Sequence, residues 1–106
     1  MSGGHWDSAG FKIQEGLLII AEDEDVKTRW PAISEIFKGL SETIYRAEHD
    51  MDWDLSGDSH IPDDKKFDLK VARTILLLTI AACPGEWFPK GKWAIIQAVG
   101  ERSWDD

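Results

Sequence analysis

At 106 residues, 42% hydrophobic and 30% charged, the chain has the length and composition of one soluble globular domain, with too much apolar content for a disordered one. Asp and Glu number 20 against 12 Lys and Arg, a net charge of −8, which argues against gripping a DNA or RNA backbone, where a cationic stripe is needed. A DNA mimic would spread its acids over one face, whereas these cluster at Glu22 to Asp25 and Asp50 to Asp68, where solubility is explanation enough.

Residues 1–10 are glycine and small polar residues and read as a flexible arm, with His5 and Trp6 as the side chains able to pin it. From Phe11 to Ala21 the apolar positions Phe11, Ile13, Leu17, Leu18, Ile20 and Ala21 fit a helix better than a strand. Glu22 to Asp25 then reads as solvated loop, with Asp25 capping a short turn through Trp30. Pro31 suits a helix start, where its missing N–H is no loss. Behind it Ile33, Ile36, Phe37, Leu40, Ile44, Ala47 and Met51 recur at threes and fours, one apolar face along a helix of about five turns.

Asp50 to Asp63 reads as an acidic loop between helices. Pro62, Asp63 and Asp64 mark the next helix start, where carboxylates are favoured by the helix dipole. Phe67, Val71, Ile75, Leu78 and Ala82 form its stripe, and Ala72, Leu76, Leu77 and Ile80 broaden it, so this helix is expected at the centre of the bundle. Cys83-Pro84-Gly85 stops it. Glu86 to Lys92, with Pro89 and Gly91, is a turn or a short helical piece carrying Trp87 and Phe88, and Lys92 to Arg102 forms a last helix with Trp93, Ile96, Ala98, Val99 and Trp104 as contacts. The expected fold is therefore all-α: a single domain of three to four helices, an acidic inter-helix loop and an irregular Trp-rich C-terminal segment.

The apolar stretch from Ile75 to Cys83, even with Thr79 counted, is far short of the roughly 20 residues a bilayer span needs, so no membrane partner is expected. Met1 to Asp7 has neither a basic start nor an apolar segment, and Cys83 has no second cysteine to pair with, which together suggest a cytoplasmic protein.

Three constellations carry possible chemistry. Counted from Asp52, the residues Asp52, Asp54, Ser56, Gly57, Asp58, His60 and Asp63 fall at positions one, three, five, six, seven, nine and twelve of an EF-hand-like Ca2+ loop, a site for Ca2+ or Mg2+. The alternative is a plain acidic connector, since Ser59 replaces the usual apolar residue, Pro62 interrupts the exiting helix and Asp63 is shorter than the usual glutamate. Lys70 and Arg73 share a helix face and suggest a small anion site, a phosphate held there with a base on Trp6, Trp53, Trp87 or Trp93; the alternative is ion pairing with nearby acids. Trp87, Phe88 and Trp93 form the third, an apolar patch suited to a protein partner. His5, His49 and His60 lack zinc-site spacing, and no phosphate-binding glycine loop or nucleophile elbow is present, so neither catalysis nor a resident cofactor is expected.

The stretch Asp52-Trp53-Asp54-Leu55-Ser56-Gly57-Asp58 resembles that of small uncharacterised proteins of phages and mobile elements, which carry Asp-Trp-Leu-x-Ser-Gly-Asp and a later helical phenylalanine, here Phe67. The resemblance extends loosely to Gly4-His5-Trp6-Asp7 and the helix after it, about half the chain; Asp54 stands where those proteins have an apolar residue. It implies a non-enzymatic anti-defence accessory factor in the cytoplasm of a bacterial host, occluding a host defence protein or sequestering a nucleotide messenger. Homo-oligomerisation is a further expectation from the amphipathic helices and many tryptophans.

Overall fold

The structure is a computed structural model that describes residues 5–101. Five α-helices follow one another: α1 (Ala9–Ala21), α2 (Glu24–Arg29), α3 (Pro31–Leu55), α4 (Asp64–Ala82) and α5 (Lys92–Glu101), with one 3-10 turn, Gly85–Trp87, before α5. The fold is all-α, and no strand occurs among the described residues. Arg102, the expected end of the last helix, and Trp104, expected as a contact beside it, lie outside the described residues, as does Gly4.

Local chemistry accounts for several helix ends. Asp23, rather than Asp25, caps α2: its carboxylate accepts from the backbone N–H of Asp25 at 2.9 Å and of Val26 at 3.2 Å. Pro31 opens α3 at its first turn. Asp63 caps α4 by accepting from Lys66 N–H at 3.0 Å, and Pro84 ends it after the extended Cys83.

Three boundaries differ from the sequence expectation. The stretch Glu22 to Asp25, expected as solvated loop, already holds the start of α2 at Glu24, because Asp23 caps it. His5 to Gly10 is a turn running into α1 rather than a loose arm. More consequentially, α3 does not stop near Met51 but runs to Leu55, so Asp50 to Leu55, six of the fourteen residues of the expected acidic loop, are helix. No proline or glycine interrupts residues 50 to 55, and the modest helix penalty of aspartate, well under about 1 kcal/mol each, is offset by bonds that Asp52 and Asp54 make to backbone amides. The turn that closes the helix is made by Gly57, whose φ of 82° lies in the left-handed region, with Gly57 N–H on the Asp54 carbonyl and Asp58 N–H on that of Trp53. A methyl at Gly57 meets no neighbour, so Gly57→Ala isolates the backbone strain. It is expected to lower stability by about 1–2 kcal/mol, read as a fall in the calorimetric melting temperature.

The central helix is α3, not α4. Antiparallel α1 lies along one flank, Gly10 near Glu48 and Ala21 near Ser34; antiparallel α4 lies along the other, with Gly39 against Leu78. The short α2 turns the chain back between α1 and α3, and α5 packs on the far side of α4. The α1–α3 contact is made of small residues, Gly10 and Ala21 facing Ser34 and Ser41, all buried, and Ser34 Oγ donates to the Ala21 carbonyl at 2.6 Å. The width of its stripe suggested α4 for the centre, but that width reflects contact with α3 on one side and α5 on the other, and Ile80 is its one buried residue.

Side by side, these helices form one layer. The Cα atoms span 46 × 39 × 10 Å, one helix deep, and the radius of gyration of 16.1 Å exceeds the about 13 Å of a compact domain this long. Among the described residues the buried apolar side chains are Ala21 and Ile80 alone.

Candidate functional site

The acidic stretch has specific work at its two ends. Asp52 is 1% exposed; its Oδ1 accepts from His5 N–H at 2.9 Å and from Ser56 Oγ at 3.3 Å, tying the first described residue to α3. Asp54 accepts from Ile61 N–H at 2.6 Å and stands 3.6 Å from His60 Nδ1, which folds the connection to α4 back onto the end of α3. Asp63 is occupied as the α4 cap. Asp52 and Asp54 thus stand on helix and Ser56 and Asp58 in the turn after it, instead of all four sharing one continuous loop with Asp63. Among the described residues no three His, Cys, Asp or Glu side chains converge as metal ligands would.

Lys70 borders a cleft of about 510 Å³ between α3 and α4 together with Arg46, Thr74, Glu42 and Asp50. Two bases face two acids there, and Arg46 is already paired to Glu42 at 2.8 Å. Toward the α4 N-terminus Lys70 also edges a cleft of about 310 Å³ with His60, Asp63 and Lys66. The half-buried Arg73 borders neither cleft, and no tryptophan lines them. Helical geometry explains the separation: residues three apart are offset by about 60°, enough for packing on α3 to take Lys70 into the groove and leave Arg73 outside it.

The C-terminal aromatics are held differently. After α4, Lys92 reaches back so that Nζ donates to the carbonyls of Ala81 and Cys83 at 2.8 and 2.9 Å, a cation on the negative end of the helix. This clamp sets the first turn of α5 beside the end of α4. On the clamped corner Trp93 is 80% exposed and Trp87 65% exposed, with Phe88 half-buried in the turn between them.

A further aromatic cleft went unpredicted. Tyr45, His49 and Trp53 follow at spacings of four on α3, with ring centroids 6.3 Å and then 4.9 Å apart. With Phe11 of α1 they border a space of about 270 Å³ that Glu48 and Asp52 also line. Nearby His5 and Trp6 meet edge to face at 4.8 Å. The signal was present in the spacing of Tyr45, His49 and Trp53, which lies opposite the apolar stripe of α3. No family model, curated protein or solved structure matches the chain.

Proposed function

We propose that the protein acts by binding another protein through the corner formed by Trp87, Phe88 and Trp93, and carries out no bond-making of its own. The observation behind this reading is the exposure of Trp93 at 80% and Trp87 at 65% on a corner anchored by Lys92. Indoles presented on a fixed backbone lose little freedom when covered, and such side chains dominate interface energetics. The nucleotide-messenger alternative draws less support, because the Lys70 cleft sets acids against its bases and has no indole to stack on. That the partner belongs to a bacterial host's defence rests on the likeness of Asp52 to Asp58 to phage accessory proteins.

Both tryptophans are exposed, so Trp87→Ala with Trp93→Ala is expected to leave the helical circular dichroism unchanged. Each anchor lost from a hot spot costs about 2 kcal/mol or more, some thirtyfold in affinity, so a partner retained from a bacterial lysate by the native protein should be lost from the double variant. Cyclic and linear oligonucleotides should leave the melting temperature unmoved, whereas one at 100 times its Kd would add about 2.7 kcal/mol. Such a shift, or undiminished capture by the double variant, would remove the proposal.

A further inference from the structure

Domains are ordinarily two or more layers of secondary structure closed around apolar side chains, and this chain supplies one. The two sides of that layer are chemically different. Phe11 on α1 and Tyr45, His49 and Trp53 on α3 line one cleft and so mark one side. At 3.6 residues per turn, Ile13 and Ile20 lie half a turn from Phe11 on α1, and Ile33, Leu40, Ile44 and Met51 lie half a turn from the α3 aromatics. These positions therefore face the opposite side. Met51 continues the surface across to α4, where it borders a groove with Phe67, Val71 and Ile75. None of these side chains is buried: Ile13, Ile20 and Ile33 are each more than two-fifths exposed, and Leu40 and Ile44 are half-buried.

We infer that this face is covered by the same face of a second copy, giving a two-layer, two-fold symmetric bundle of ten helices. Area is the first reason. The chain exposes 7449 Å² at a mass of 12.0 kDa, where a compact monomer of that mass exposes about 6,000 Å². The surplus is about 1,450 Å² per chain. An obligate homodimer buries 2,000–5,000 Å² in total, so about 1,000 Å² or more from each chain, which a surplus of this size can supply. Charge is the second. Despite the net −8, the acids Glu42 and Asp50 line the α3–α4 cleft on the other side of the layer, and Asp68 is the one acid among the seven residues lining the apolar groove. Stacking two such faces brings hydrocarbon to hydrocarbon and leaves the like charges apart. Lastly, a layer that buries Ala21 and Ile80 alone among its described apolar side chains needs its cover in order to fold, and a second copy is always at hand where the chain is made.

The test is mass and melting of the full chain. Light scattering should return about 24 kDa, twice the 12.0 kDa of one chain, and the melting temperature should rise with protein concentration. Ile44→Glu, near the middle of α3, should shift the protein to 12.0 kDa with loss of helical ellipticity. Because that variant is expected to unfold, Trp93→Ala serves as the second: it should keep the dimer mass while losing the partner proposed above, so the two surfaces fail independently. A native 12.0 kDa species that is helical and melts at a concentration-independent temperature would overturn the inference, as would an Ile44→Glu protein that keeps the dimer mass.

Discussion

Gly39→Leu is expected to pry α4 from α3 and to lower stability by about 2–3 kcal/mol, a fall in melting temperature of roughly 10–20 °C for a chain this short. Gly39 lies on the side of α3 that packs against the antiparallel α4, and a Cβ there would run into the side chain of Leu78. Alanine at the same place sets the helix-forming gain of a methyl group against that contact, which the end of Leu78 can relieve by turning. Leucine adds three more carbons at a site already filled by Leu78, and they fit only by pushing that side chain aside or by turning into the α3–α4 cleft that Gly39 also lines. Gly16 on α1 is the control: it too is helical, but nothing lies within 4 Å of a Cβ built on it. Gly16→Ala is therefore expected to stabilise by about 0.5–1 kcal/mol. Urea unfolding of the two variants beside the parent reads both signs, and equal shifts would mean that Gly39 holds no close approach.

The contrast between those glycines marks what a one-dimensional pattern conveys and what it leaves out. Period and punctuation were legible: the stripe from Ile33 to Met51 is α3, Pro31 opens it, Asp63 caps α4, and Cys83-Pro84-Gly85 ends it. Packing partners were not. A stripe says that one side of a helix avoids water without saying what covers it, so the broad stripe of α4 suggested a central helix while the small residues Gly10, Ala21, Ser34 and Ser41 make α3 the hub. The run from Asp50 to Leu55 misled for a related reason. Aspartate is a weak helix former taken alone, and the amides that hold Asp52 and Asp54 come from His5 and Ile61, 47 and 7 residues away. Exposure of the C-terminal tryptophans was equally unreadable, since an indole has the same hydropathy whether it fills a core or stands at a corner. Tyr45, His49 and Trp53 were readable by spacing, but only contact with Phe11 turns that row into a cleft.

The acidic stretch offers the second large effect. Asp52 is the most enclosed carboxylate described, and its partners are the His5 amide and the Ser56 hydroxyl. Asp52→Ala removes both bonds and strands a backbone N–H beside α3, at a cost of about 2–3 kcal/mol. Because the bond to His5 joins residues 47 apart, the loss should also appear locally, as faster hydrogen exchange at His5 to Ser8. Asp52→Asn keeps an oxygen facing the same amide and should cost about 1 kcal/mol, the difference between a charged and a neutral acceptor. Ser56→Ala, giving up a longer bond of 3.3 Å, should cost less again. The order Ala, Asn, Ser56 variant belongs to a carboxylate that fastens backbone. A carboxylate serving a cation would order them differently, since asparagine is a poor substitute for charge in a Ca2+ shell. Repeating the three melts in a chelator and in millimolar calcium separates the two roles: here the losses should be the same in both, and a loss that appears only with calcium present would assign Asp52 to an ion instead of to His5.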